Sequence, residues 1–175
     1  QDAGSSWVNF GSMYLGGGGD APGGPGELDV QGGQVRVGGT MKFWPGGIAR
    51  VSGGSLWANT VVRDPAATLE LTGGRLSFAT FQGDLVNTGG EVSPGLACGP
   101  ATIAGNYTQS AGRLVIELGD DNYTTPKPTY DRLTVNGQVY LDGALLLLQW
   151  LPVAGDPTCR FGGNYDVLVY PFGGL

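Results

Sequence analysis

Residues 26–44 (GELDVQGGQVRVGGTMKFW), 47–63 (GIARVSGGSLWANTVVR) and 67–82 (ATLELTGGRLSFATFQ) repeat one pattern around a Gly-Gly pair. Apolar and polar residues alternate on both sides of each pair. Two more pairs, the last of them degenerate, follow along the chain, so the pattern is an internal repeat. The five pairs are Gly32-Gly33, Gly53-Gly54, Gly73-Gly74, Gly89-Gly90 and Ala111-Gly112.

Alternation in the first three repeats assigns twelve residues to one face of their strands, and all twelve are apolar. A period of two predicts short, half-buried β-strands that meet at the Gly-Gly corner. The pattern weakens in the later repeats, where Asn87, Pro94 and Gln109 occupy inward positions. The twelve residues are Leu28, Val30, Val35, Val37, Ala49, Val51, Leu56, Ala58, Leu69, Leu71, Leu76 and Phe78.

A third short strand follows in each repeat, at residues 41–44, 60–62 and 79–81. Three strands and three corners in about 20 residues predict one coil of a parallel β-solenoid, whose coils stack about 4.8 Å apart. Glycine suits the corners because it tolerates positive φ and a close approach of neighbouring coils. We therefore predict an all-β fold, a parallel β-solenoid (β-helix) with a C-terminal cap.

The same pattern predicts one continuous domain, with the coils in residues 1–118 and the final coils and cap in residues 119–175. Residues 7–19 resemble an incomplete first coil. Residues 144–151 are apolar on both faces, so we expect them to be covered on both. With residues 165–170 they would form the cap, because an open solenoid end is an unpaired sheet edge.

Composition excludes several other classes of protein. The 175 residues include 34 Gly and 11 Pro, but 41% are hydrophobic, which is too apolar for disorder throughout and too rich in Gly for an all-helical domain. The net charge of −6 and the scattered Lys and Arg argue against nucleic acid as a partner. No apolar run is long enough for membrane insertion. The chain begins at Gln1, so we expect that any secretion signal was removed or lies upstream.

Charged residues recur at equivalent outward positions. Asp29, Arg50 and Glu70 each lie three residues before a Gly-Gly pair, and Arg75, Glu91 and Arg113 each follow a later pair. In stacked coils both sets would form ladders of alternating sign. Such ladders favour the correct register more than they stabilise the fold, because exposed ion pairs contribute only about 0 to 1 kcal/mol.

The two cysteines, Cys98 and Cys159, both lie in loops rich in Gly and Pro. We expect them to form a disulfide that ties the last regular coils to the cap and contributes roughly 4 kcal/mol. Two free buried thiols are the alternative. A zinc site is disfavoured because the chain has no His and no third Cys. A disulfide would fit an extracytoplasmic location.

Two segments match modification sites. Asn106 and Asn122 begin N-glycosylation sequons, a weak signal that a bacterial chain would carry by accident. The polar loop of residues 120–128, which contains Thr124 and Thr125, is the stronger candidate for glycosylation on composition.

The absence of His excludes the His-based triads and His general bases that most hydrolases use. Carboxylate sites with Arg or Lys, as in solenoid polysaccharide enzymes, remain open. Trp57 falls on an outward position where it could hold a sugar ring, whereas Trp7, Trp44 and Trp150 suit packing at corners or the cap. We predict no enzyme activity, no cofactor and no bound metal.

Motifs in the second half resemble a known family. They are residues 92–95 (VSPG), 103–119 (IAGNYTQSAGRLVIELG), 130–137 (YDRLTVNG), 141–143 (LDG) and 165–168 (YDVL). Together they are similar to the signature of autotransporter passenger-like β-solenoid domains of bacterial surface proteins, including sorted surface proteins of the planctomycete type. This resemblance implies a surface scaffold or an adhesive role and supplies no catalytic residues.

We therefore expect a secreted, extracellular or cell-surface bacterial protein that is a structural subunit or segment of a filament, surface layer or adhesin. Its partner would be a second copy bound head to tail, or the remainder of a longer surface protein. The short apolar N-terminal segment would mediate self-association. A carbohydrate-active or carbohydrate-binding solenoid, with glycans as partners, is the alternative function. The expected association residues are Trp7, Val8, Phe10, Met13 and Leu15.

Overall fold

The computed structural model describes residues 4–95, 98–119, 130–143, 145–150 and 167–171, and this part of the chain is all-β. It contains no helix that is long and apolar enough to cross a membrane. The strands are β1 Ser6–Asn9, β2 Met13–Leu15, β3 Gly26–Val30, β4 Gln34–Phe43, β5 Gly47–Val51, β6 Ser55–Arg63, β7 Thr68–Leu71, β8 Arg75–Gln82, β9 Leu85–Pro94, β10 Pro100–Ile103, β11 Tyr107–Leu118, β12 Arg132–Val135, β13 Val139–Leu141, β14 Leu145–Trp150 and β15 Leu168–Val169.

Equivalent strands of successive repeats lie side by side and parallel. The strands before the first three Gly-Gly pairs form a three-stranded sheet, β3-β5-β7. The strands after the pairs belong to a twelve-stranded sheet that runs from β1 through β4, β6 and β8. It continues along two branches, β9-β11-β14 and β10-β12-β15. The third segment of each repeat extends the same strands, so Met41 pairs with Val61 and Val61 with Phe81.

The inward positions predicted by the alternation form the core. Ten of the twelve apolar residues are buried. The other two, Leu28 and Leu69, are half-buried and pack against the same cluster. The predicted face of each strand is therefore confirmed.

The Gly-Gly corners bring the backbones of neighbouring repeats into direct contact. Gly54 and Gly74 have φ of 62° and 59°, in the left-handed region that favours glycine. A Cβ on Gly74 would lie only 2.6 Å from the carbonyl oxygen of Gly53 in the preceding corner. The corner therefore needs glycine both for its backbone conformation and for the approach of the next repeat.

The unequal spacing of the later Gly-Gly pairs comes from two corners of different length. Val62 and Gln82 occupy paired positions in β6 and β8. Leu69 follows Val62 by seven residues, whereas Leu85 follows Gln82 by only three. The next corner is longer: Phe78 pairs with Pro94 and Thr80 with Thr102, so eight residues separate positions that are two apart in β8. Both changes occur outside the strands. Within the strands the register shifts at two places, between Val37 and Thr40 of β4 and between Gln109 and Arg113 of β11.

Polar residues at inward positions of the fourth and fifth repeats are buried and hydrogen-bonded. The Asn87 side chain accepts hydrogen bonds from the amides of Gly89 and Gly90 and donates to the Gly90 carbonyl, at 2.9 to 3.2 Å. The Tyr107 hydroxyl donates to Oε1 of Gln109. Burial raises the Tyr107 pKa, so this hydroxyl stays protonated. Asn87 therefore holds the Gly89-Gly90 corner, and Tyr107 and Gln109 are hydrogen-bonded to each other inside the core.

The last strands continue the parallel order but leave one surface open. β15 pairs with β12, and β14 pairs with β11. Residues 145–148 of β14 are all leucine and are 38 to 65% exposed, so the described residues do not supply the cover expected on both faces of this segment. Within this part of the chain, β14 also has a neighbouring strand on one side only.

We predict that Gly74→Ala lowers the free energy of unfolding by at least about 2 kcal/mol, because an alanine there combines left-handed backbone strain with a clash against the preceding corner. Gly18→Ala is the control. Its Cβ would meet nothing within 4 Å, so we expect a change within about 0.5 kcal/mol. Urea unfolding followed by circular dichroism measures both, and equal stability of the two variants would contradict the account of the corner.

Candidate functional site

The first charge ladder lies on the sheet β3-β5-β7. Arg50 forms ion pairs with Glu27, with Asp29 at 3.4 Å and with Glu70 at 3.1 Å. The predicted order of acid, base and acid is confirmed. All of these side chains are well exposed, so the ladder selects register rather than forming a closed site.

The second ladder is less exposed and lies on the twelve-stranded sheet. Glu91 is paired with Arg75 at 3.2 Å and with Arg113 at 2.9 Å, which confirms this predicted alternation as well. Arg75 also comes within 3.8 Å of Glu117. These carboxylates hold both guanidinium groups in place along the outer surface.

An open groove of ≈ 700 Å³ runs beside this second ladder, and we call it the outer groove. Its walls come from β4, β6, β8, β9, β11 and the Gly-Gly corners. Three of its lining residues are Arg and one is Glu, although the chain as a whole is acidic. The lining residues are Gln34, Arg36, Gly54, Ser55, Leu56, Trp57, Gly73, Gly74, Arg75, Ser77, Gly89, Gly90, Glu91 and Arg113.

Trp57 is the one tryptophan in the outer groove, as its outward position predicted. The guanidinium of Arg36, on the neighbouring strand, lies over the indole ring at 4.7 Å from its centroid. The indole Nε1 is closed to solvent, and it is the only buried side-chain nitrogen or oxygen of the described residues that lacks a hydrogen-bond partner. By contrast, Nε1 of Trp44 donates to the Gly18 carbonyl at 2.7 Å.

A second cluster lies where the long corner meets β11 and β12. Asp131 is fully buried and accepts hydrogen bonds from the amides of Gly99 and Glu117, both at 2.9 Å. Burial raises the pKa of Asp131 to about 6, against the opposing effect of these two bonds. Asp131 therefore ties the corner to β11, a role that neither the composition nor the alternation indicated.

The ligand atoms of Cys98, Glu117 and Asp131 lie within 4.8 Å of one another, as in a metal site. The hydrogen bonds of this cluster explain it without a metal. Both oxygens of Asp131 accept backbone amides, and the Cys98 thiol contacts the Glu117 carbonyl at 3.6 Å. Burial, with the nearby charge of Asp131, raises the pKa of the Cys98 thiol and keeps it protonated.

Several predicted sites fall partly outside the described residues. Cys98 forms no disulfide within the described part of the chain, and Cys159 lies outside it, so the disulfide stays a prediction. Asn106 is half-buried, and its side-chain oxygen accepts the Gln138 amide at 2.9 Å. The other candidate glycosylation residues, Asn122, Thr124 and Thr125, lie outside the described residues.

The structure divides the predicted association residues into two groups. Met13 and Leu15 are buried against β4, so their side chains belong to the core. Trp7, Val8 and Phe10 are exposed, Phe10 by 89%. Any contact with another molecule would therefore involve the side chains of this second group.

No known protein family, no curated protein and no solved structure matches the chain. The similarity to autotransporter passenger domains therefore stays a prediction.

We predict a specific pH dependence for Asp131. Its folded-state pKa of about 6 lies above the reference value of 3.8, so the folded protein binds the proton more tightly. The resulting stabilisation is present below pH 4 and is lost as the pH rises to about 6. Asp131→Asn should lower the free energy of unfolding by about 1 to 3 kcal/mol, because Asn cannot accept both amides.

Unfolding curves at pH 4, 5, 6 and 7 test this, with Asp142→Asn, at an exposed carboxyl, as the control. The gap between the wild type and Asp131→Asn should narrow as the pH rises from 4 to 6. A gap that widens over this range would show that Asp131 is stabilised in its charged form.

Proposed function

We propose that this protein is a non-catalytic, secreted structural protein, a β-solenoid unit of an extracellular filament, surface layer or adhesin. The observation that carries the proposal is that parallel strands lie side by side from β1 to β14, which leaves an unpaired strand edge at each end of the described structure. The resemblance of the second half to passenger-like domains supports a location at the bacterial surface.

The solenoid interpretation rests on three sets of parallel pairings that advance together. Sheet β3-β5-β7 steps from repeat to repeat in the same order as the first and second halves of β4, β6 and β8. A chain that winds once per repeat through three strands produces this arrangement. Inward residues from all three sets meet in one hydrophobic cluster, as a solenoid interior requires.

The strand edges at the two ends are complementary in register. One inward row begins at Trp7 on β1 and ends at Leu146 on β14, with a residue of each intervening strand between them. Among the described residues, β1 pairs only with β4 and β14 only with β11. A second copy that placed its β1 beside β14 would continue the four rows that β1 begins.

An apolar cavity supplies a place for the Trp7 ring of such a second copy. It has a volume of ≈ 220 Å³ and lies beside Leu114 and Leu146, the last two members of the row that Trp7 begins. Trp7 is 42% exposed in the free chain, so its ring would be buried by this contact. Because the two surfaces differ, the contact is heterologous and propagates into a filament if it does not close.

The hydrogen bonds of β1 identify a sharp test. The Ser5 carbonyl accepts the Gln34 amide at 2.8 Å. In a parallel ladder, alternate residues bond the same neighbour, so Trp7 bonds β4 and the N–H of Val8 points away from it. Val8→Pro should therefore remove a donor from the free edge and leave the pairing with β4 intact.

We predict that the wild type forms concentration-dependent oligomers in sedimentation velocity and short filaments in electron microscopy. Val8→Pro should abolish them with the circular dichroism spectrum unchanged. Val8→Thr, which keeps the branched side chain and the N–H, should still assemble. A wild type that stays monomeric at high concentration, or filaments that persist in Val8→Pro, would contradict the proposal.

A further inference from the structure

We propose that the outer groove is a binding site for an acidic oligosaccharide, a chain of sugars that carry carboxylates. This inference goes beyond the structural function and does not depend on self-association. It rests on the placement of three arginines, the aromatic wall formed by Trp57 and the open shape of the groove.

The charge of the groove opposes the charge of the whole chain. Arg36, Arg75 and Arg113 face it, although the net charge is −6. Among the described residues, Arg36 has no carboxylate partner and is held over the Trp57 ring instead. Its guanidinium is therefore held in place but forms no ion pair there, which suits bidentate recognition of a carboxylate.

Trp57 supplies the second observation. Its indole ring forms part of the groove wall, and a flat aromatic ring of this kind can pack against the apolar face of a sugar. Its N–H is closed to solvent, so the contact with a ligand would be made by the ring.

The arginines are spread along the groove, which favours an extended ligand over a compact anion. Arg36 lies on β4 and Arg113 on β11, four strands further along the sheet, or about 19 Å at a spacing of about 4.8 Å. Phosphate or a single sugar acid cannot reach both.

The remaining lining favours a sugar chain. Gln34, Ser55 and Ser77 offer side chains that bond hydroxyl groups, and Glu91 adds a negative charge between two of the arginines. A chain of uronic acids carries one carboxylate and free hydroxyl groups on each sugar, so it can bond the arginines with the first and the neutral side chains and Glu91 with the second. A DNA strand carries a phosphate on each nucleotide but no free hydroxyl along its backbone, so it would bring phosphates to Glu91 without a donor between them.

The test is calorimetric titration of the whole protein with a mannuronic-acid hexasaccharide, compared with a neutral mannose hexasaccharide. We expect binding of the acidic sugar only, weakened by added salt. Arg36→Gln should weaken binding by about tenfold or more, because it removes a charged hydrogen bond. Trp57→Ala, which removes the aromatic wall of the groove and the ring under the Arg36 guanidinium, should also weaken it, by about three- to tenfold.

Arg50→Gln is the matched control, because it makes the same charge change on sheet β3-β5-β7, outside the groove, and should alter affinity less than twofold. Arg36 is exposed, so Arg36→Gln should fold and still tests the groove if Trp57→Ala fails to fold. No binding of the acidic hexasaccharide, equal binding of the neutral one, equal loss in Arg50→Gln or tighter binding of a thymidine hexanucleotide would each overturn the proposal. Sedimentation is measured separately, so a failure here leaves the assembly proposal standing.

Discussion

The close approach of backbones at the Gly-Gly corners is the constraint on which the rest of this structure depends. A side chain on Gly74 would run into the carbonyl of Gly53, so the repeats can stack only where glycine stands. Once the corners are in contact, the strands on either side are brought into parallel register. The ladders, the core and the groove all follow from that register.

Register turns a local sequence pattern into continuous surfaces. Every inward position adds to one hydrophobic column, and every outward position adds to a row along the sheet. This is why Arg75, Glu91 and Arg113 become neighbours although 38 residues separate the first from the last. The same stacking places Arg36 over Trp57 and so builds the one polar groove that we interpret as a ligand site.

The inward face and both ladders could be predicted from the sequence because they depend only on period and spacing. The ten buried residues of the first three repeats and the ion pairs of Arg50 and Glu91 are examples. The groove could not be predicted as a whole. Trp57 was identified as outward, and Arg36 occupies the equivalent position of the preceding repeat, but the period does not show that the guanidinium lies over the indole ring. Asp131 was missed because its burial comes from a corner of unusual length, and corner lengths follow no repeat.

The register between neighbouring repeats is the central claim, and disulfide trapping tests it most directly. In a variant with Cys98 and Cys159 replaced by Ser, Gln34→Cys and Ser55→Cys are placed in paired positions of β4 and β6. Paired strands lie about 4.8 Å apart, within the range that a disulfide spans. We expect this pair to cross-link rapidly within one chain and the pair Arg36→Cys with Ser55→Cys, two residues out of register, to stay reduced. Equal cross-linking of the two pairs, or none in the first, would contradict the stacked, parallel arrangement.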